Sequence, residues 1–172
     1  MKTLVVYESM FGNTERVAQA IAAGISESMD VEVAAVASAP ATVPPDVSLL
    51  IIGGPTHAFS MSRRNTREEA VKQGATASAS VGLREWLADL PPQAGTVAVT
   101  TFDTRVNGAR RLPGSAAKSA ARSARRRGFG RVDGGESFYV EGTTGPMLDG
   151  EVERATEWGR QTARIVSSRG LA

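Results

Sequence analysis

Two rhythms alternate along this chain: short unbroken apolar runs, and longer stretches in which apolar residues recur every three or four positions. Thr3–Glu8 is a β-branched-rich run bounded by a turn, which predicts a buried strand. Val17, Ala20, Ile21, Gly24 and Ile25 then recur at helical spacing, with Glu15, Gln19 and Glu27 between them. This predicts a helix over Asn13–Ser28. Further strands are expected at Val31–Val36, Ser48–Gly53, Thr96–Thr101 and Glu136–Val140. Ser48–Gly53 (SLLIIG) is apolar on both faces, as suits a central parallel strand. Helices are expected at Arg67–Gln73, Gly82–Leu90, Gly114–Arg127 and Gly150–Ser167. The Pro-rich stretch 37–46 reads as a connector, and the small, polar stretch Gly74–Gly82 as a mobile loop.

Strands separated by helices imply right-handed crossovers and a parallel sheet covered on both faces. The expected fold is α/β, a doubly wound five-stranded parallel sheet in the order 2-1-3-4-5, forming one domain over residues 1–172. Ligands of such sheets bind outside the carboxyl ends of the strands, where the winding reverses. The turns after Glu8, Gly53 and Thr101 are therefore the places to look for chemistry.

Composition narrows the field. The 172 residues are 41% hydrophobic and 22% charged, which suits a globular domain. No apolar run approaches the roughly 20 residues of a membrane span, and the N-terminal run is shorter than the about 7–15 residues of a secretory leader. The absence of cysteine removes disulfides, thiolate metal sites and thiol catalysis, and the expected location is the cytoplasm. The net charge of +2 conceals an asymmetry: residues 61–131 carry 14 basic and 5 acidic side chains, while both flanks are net acidic. Lys118, Arg122, Arg125 and Arg126 share one helical face. That is either a solvated surface or a docking face for an acidic redox partner or a phosphorylated cofactor. Aromatics do not interleave with these arginines, which argues against nucleic acid. Arg63, Arg64 and Arg67 follow the third strand and are either solvated or ring a ligand cleft.

The first turn, Ser9-Met10-Phe11-Gly12-Asn13-Thr14, lies between a strand and a helix. The first amides of a helix lack intrahelical partners and carry partial positive charge, so this end either binds an anion, most often phosphate, or is capped by Asn13 or Thr14. A nucleoside-triphosphate loop is excluded, because no Gly-x4-Gly-Lys spacing is present.

The stretch YESMFGNTERVA resembles the phosphate loop of flavodoxins, in which [ST]-x-[ST]-G-x-T follows the first strand. Ser9, Gly12 and Thr14 match, and Phe11 stands in place of the middle hydroxyl. GGPTHAFSM is similar to the second flavodoxin loop, with Gly53, Gly54, Pro55 and Thr56 in the pattern. His57 stands where a Trp or Tyr is often found, followed by Ala58 and Phe59. The resemblance implies that residues 9–14 wrap the phosphate of FMN, and that residues 54–59 hold one face of its ring. It further implies that Thr101, Phe102, Asp103, Thr104 and Arg105 form a loop at the ring's edge and other face, with Phe102 stacking. Arg105 departs from the family and would place positive charge beside the ring, stabilising the anionic reduced flavin.

The resemblance implies an FMN-binding electron-transfer protein working with a redox partner protein or an NAD(P)H-linked reductase. Two alternatives stay open. One is an FMN-dependent NAD(P)H:quinone-type oxidoreductase, with Ser60–Gly82 as a substrate lid. The other is a non-catalytic binding module whose flavin site has decayed.

Overall fold

A computed structural model of the chain describes residues 1–93, 95 and 97–168. In order along the chain it contains β1 (Lys2–Tyr7), α1 (Asn13–Ser26), β2 (Asp30–Ala35), β3 (Val47–His57), β4 (Ser60–Met61), α2 (Arg64–Lys72), α3 (Leu83–Asp89), β5 (Ala98–Val106), α4 (Ala116–Arg126), β6 (Arg131–Val132), β7 (Glu136–Val140) and α5 (Glu151–Ser168). The parallel sheet runs β2-β1-β3-β5-β6. β6 pairs with Ala98 and Val99 of β5, and β7 pairs with Phe102 to Val106 of the same strand. The two pieces together fill the fifth position, so the winding is the expected 2-1-3-4-5 with a broken edge strand. The break falls at Asp133-Gly134-Gly135. A Cβ on Gly135 would lie 2.5 Å from both Ala117 Cβ and Thr101 Oγ1, so a residue with a side chain could not follow this path.

Each strand sends alternate side chains to opposite layers. Val5, Leu49, Ile51, Phe102 and Phe138 pack under α1 and α5. Leu4, Val6, Leu50, Ile52 and Val99 pack under α3 and α4. Leu49 to Ile52 are almost wholly buried, each contributing about 1.5–3 kcal/mol from removal of its side chain from water. α1 and α5 cross in close contact. A Cβ on Gly24 would fall on the Thr156 carbonyl, and one on Gly159 would fall on the Ile21 carbonyl.

Three expectations change. The third strand does not end at Gly53 but runs on to His57, because its distal half is paired on both sides, with β5 as far as Pro55 and with β4 at Thr56 and His57. The fourth strand begins at Ala98 among the described residues and continues to Val106, held between β3 and β7; Thr96, its expected start, lies outside the described residues. Residues 101–105 are thus strand, not loop. Finally, the stretch Gly74–Gly82 is tied to the rest of the fold at two points. Ala75 is buried beside Met10 and Ala70, and the Ala79 carbonyl accepts a hydrogen bond from Arg67 Nε at 2.9 Å.

Candidate functional site

β1 delivers the chain to the switch point, where Glu8 N–H bonds the Gly53 carbonyl at 2.9 Å. Ser9 Oγ accepts from Gly12 N–H at 3.1 Å and closes the turn. Gly12 sits at φ 87°, a left-handed conformation that suits glycine, and has open space where a Cβ would lie. It is the N-cap residue of α1, and no side chain caps the helix. Neither candidate cap does so, because both side chains are used elsewhere. Asn13 Nδ2 donates to the Thr144 carbonyl at 3.1 Å, and Thr14 Oγ1 shares a 2.7 Å hydrogen bond with Thr104 Oγ1. Arg16 N–H closes the first turn of the helix on the Gly12 carbonyl. The start of α1 therefore keeps its positive end free.

The apolar pair inside this turn has a structural use. Met10 is buried and, with the partly buried Phe11, packs against Ala70 of α2 and against Ala75 and Ala77. Phe11 replaces a hydroxyl and seats the segment that follows β4.

A cleft of about 330 Å³ opens beside this turn. Of the expected site residues, Ser9, Met10, Phe11, Asn13, Thr14, Pro55, Thr56, His57, Ala58, Thr104 and Arg105 line it. Gly12 borders a second cavity on the far side of the same turn. α2 adds Thr66, Glu69 and Ala70, its C-cap residue adds Gln73, the end of β5 adds Val106, and the chain around β7 adds Val140 and Thr143. Sequence reasoning missed these seven. The one sign of α2's contribution is that the stretch from Ser60 to Gly82 is longer than a plain strand-to-helix connection needs.

Four expected residues lie elsewhere. Phe102 is fully buried under α1 and α5, edge-on to Phe138 with ring centroids 6.3 Å apart, so it is a core residue and cannot stack on a ligand ring. Gly53, directly opposite, makes room for it: a Cβ there would fall on the Phe102 ring. Thr101 and Asp103 point to the other layer, one residue out of phase with Phe102. Thr101 Oγ1 donates to the Ala117 carbonyl at 3.0 Å, and Asp103 Oδ2 accepts from Ala117 N–H at 2.9 Å. They fasten α4 to the sheet. Burial raises the Asp103 pKa, while the Ser115 hydroxyl and Ala117 N–H act against it. Phe59 also lies outside the cleft, exposed at the tip of the β3–β4 hairpin.

His57 faces the cleft with Nδ1 3.0 Å from Thr66 Oγ1. Thr66 Oγ1 accepts from Arg63 N–H and lies 2.9 Å from the Arg63 carbonyl, so it either accepts from His57 Nδ1–H or donates to Nδ1, according to the His57 tautomer. Burial, aided by the Arg67 charge, lowers the His57 pKa, so the ring is neutral at pH 7. Arg105 is nearly buried in the cleft wall. Its Nη2 donates to the Ala109 and Leu112 carbonyls, and its Nε has no partner among the described residues.

Arg67 does not ring the cleft mouth. It is fully buried behind α2, where Nη2 pairs with Glu85 at 3.1 Å and Nη1 donates to Ser62 Oγ at 2.8 Å. Glu8 is buried alongside and accepts from Leu83 N–H at 2.9 Å. Burial raises the Glu8 pKa, and the Ser62 hydroxyl, Leu83 N–H and Arg67 limit the rise. Gly82 has no side chain because one would collide with Arg67 Nη1 and lie 2.7 Å from Glu8 Oε2. This knot fixes α2, and with it the outer wall of the cleft.

Among the described residues, no cluster of His, Asp or Glu could hold a metal ion, and no helix is long and apolar enough to cross a membrane.

The flavodoxin family model matches residues 5–90, the half of the chain that carries both the Gly12 turn and the β3–β4 hairpin. No curated protein matches. The fold is similar to that of an archaeal flavodoxin (21% identity, 97% of this chain and 99% of that one covered, TM-score 0.62). It is also similar to flavodoxin 2 of Bacillus cereus (18% identity, 98% and 99% covered, TM-score 0.63). A structure described as a flavone reductase aligns over 97% of this chain and 63% of its own, at 16% identity and a TM-score of 0.57. With a family match over half its length, a fold shared from end to end with flavodoxins and an open helix start at the switch point, this chain belongs to the flavodoxin family.

Proposed function

We propose that the cleft binds FMN and that the protein transfers electrons. The observation carrying this reading is the uncapped start of α1 at Gly12, beside a cleft at the carboxyl ends of β1, β3 and β5. The residues present fit the cofactor. Free helix amides with Ser9 and Thr14 nearby suit a phosphate, and Pro55, Ala58, Ala70, Val106 and Val140 offer apolar surface for a ring system. Bound FMN would supply the redox chemistry; the chain binds, orients and tunes it. Neutral His57 would present a flat ring and its free Nε2, Arg105 a fixed positive charge, and α2 a wall against water. Titration of apo-protein with FMN, followed by quenching of flavin fluorescence, tests the reading. Saturable one-to-one quenching is expected, and no uptake of either FMN or FAD overturns it.

A second reading is favoured by α2, which narrows the cleft with Thr66, Glu69 and Gln73. On that reading the protein is an NAD(P)H:quinone-type oxidoreductase. Turnover of NAD(P)H with a quinone and no added reductase would establish it over a carrier role.

A further inference from the structure

The β3–β4 hairpin turns through Ala58 and Phe59, both at positive φ (45° and 63°). Two-residue turns of this hand normally use Asn or Gly, so two side-chain-bearing residues here carry local strain. The strained turn keeps Phe59 half exposed instead of folding it onto the cleft. Its backbone is fixed from beneath. Gly114 lies against it so closely that a Cβ would be 2.6 Å from the Phe59 carbonyl, and Ser60 Oγ donates to Ser119 Oγ of α4 at 3.0 Å. Leu112, two residues before Gly114, is 48% exposed. Two large apolar side chains thus stand in solvent at the cleft rim, since Ala58 of the same turn lines the cleft.

Cations surround them. Arg84 reaches under the hairpin, with Nη2 donating to the Met61 carbonyl at 2.8 Å and to Ser60 Oγ at 3.1 Å. Arg63 follows β4, Arg111 precedes Leu112, and Lys118 and Arg122 project from α4. Among the described residues none of these five cations is in an ion pair. Two of the three cations of α5 behave differently: Arg154 pairs with Glu136 and Glu151, and Arg160 with Glu27 and Glu157, while Arg164 is in no ion pair among the described residues. The hairpin cations also crowd one another: burial lowers the Arg84 pKa, and Arg63 and Arg67 lower it further. Like charges left uncompensated around exposed apolar anchors have the composition of a recognition surface, in which arginine and aromatic residues carry most of the energy.

We propose that the hairpin tip, with Phe59 and Leu112 as apolar anchors and Arg63, Arg111, Lys118 and Arg122 as a cationic rim, docks an acidic protein partner at the edge of the cleft. The flavin reading contributes only the expectation that this partner exchanges electrons; the surface itself stands on exposure, strain and unpaired charge. Docking here places the partner against the residues that wall the cleft on the Ala58 side.

The test uses the full chain and two probe proteins of opposite charge, an acidic [2Fe–2S] ferredoxin and a basic c-type cytochrome, with binding measured at low and at about 0.15 M salt. The ferredoxin is expected to bind and the cytochrome not, with affinity falling as salt rises. Phe59→Ser should weaken ferredoxin binding about tenfold. Arg111→Glu combined with Lys118→Glu should weaken it more than Arg164→Glu combined with Arg160→Glu, which makes the same charge change on α5. Equal effects of the two double variants overturn the proposal, as does preferential binding of the cytochrome. Duplex DNA that competes as strongly as the ferredoxin overturns it in favour of a nucleic-acid surface. Melting curves identify a variant that fails to fold, and Phe59→Ser, at an exposed position, keeps the test open in that case. The binding assay runs with or without FMN, so loss of flavin uptake refutes the cofactor reading alone and loss of docking refutes only this one.

Discussion

The two layers on either side of the sheet solve the same burial problem with opposite means. Under α1 and α5 the helices meet directly through Gly24 and Gly159, and Arg154 and Arg160 are paired with carboxylates. Under α2, α3 and α4, a guanidinium lies deep inside, tied to Glu85 and Ser62, and the surface cations divide: Arg64 and Lys72 of α2 pair with Glu68 and Glu69, whereas Arg84, Lys118 and Arg122 are in no ion pair among the described residues. The first layer is built for packing. The second bears the cost of a buried guanidinium to hold an added helix over the cleft. Variants at both faces can break or sharpen this contrast.

The largest effect is expected from Arg67→Met. It leaves Glu85 without its partner and the buried Glu8 without a nearby positive charge, and costs about 3–5 kcal/mol, read from chemical unfolding. Hydrogen exchange should show the loosening to be greatest in α2 and 75–82. An evenly spread loss would mean that the knot supports the whole domain rather than one wall. Gly159→Ala comes next, at about 1–3 kcal/mol or more, because the obstacle is the backbone of Ile21 rather than a movable side chain. By contrast Glu27→Gln, which breaks an exposed ion pair on that same layer, should leave the melting temperature nearly unchanged.

Smaller effects probe the cleft. Since folding lowers the His57 pKa below 6.5, the unfolded chain takes up the proton first. The His57 contribution is complete above pH 6.5 and is lost as pH falls below it, so a His57→Gln variant should lose less stability than the parent between pH 7 and the His57 folded pKa. Identical pH profiles would remove the buried-neutral assignment. Arg105→Gln should weaken binding of reduced FMN relative to oxidised FMN about tenfold, equivalent to about 59 mV for one electron. An unchanged ratio in a variant that still binds FMN would show that the guanidinium serves only the carbonyls of Ala109 and Leu112.

Much of this was legible in the sequence because the physics was local. Residues 4–7 and 48–53 could be placed as strands since full burial on two faces demands unbroken apolar runs. The turn at Gly12 could be located since a strand must give way to a helix there. Phe102 was misplaced because the end of β5 is set by pairing with β3 and β7, which are distant in sequence. Once the strand is extended to Val106, strict alternation sends Phe102 inward and Asp103 toward α4. Arg67 was misread for a related reason. Its helix is short and polar, and burial of a guanidinium is made tolerable by Glu85, Ser62 and the Ala79 carbonyl, with the charge of Glu8 close by. A sequence reports what a residue prefers, but not which distant group has been placed to meet it.

The crossing of α1 and α5 also bears on how the chain comes together. The Arg160–Glu27 pair joins residues 133 positions apart, so one layer of the protein is made from two helices far apart in sequence. The face of α1 that carries Gly24 has no cover until α5 arrives. Such long-range closure slows folding, since the entropy of bringing distant segments together is lost before any contact repays it. On the ribosome, α1 must wait with its Gly24 face open until α5 has emerged. A nascent chain stalled before Glu151 should expose that face to chaperones, whereas one extended far enough for Ser168 to clear the exit tunnel should not.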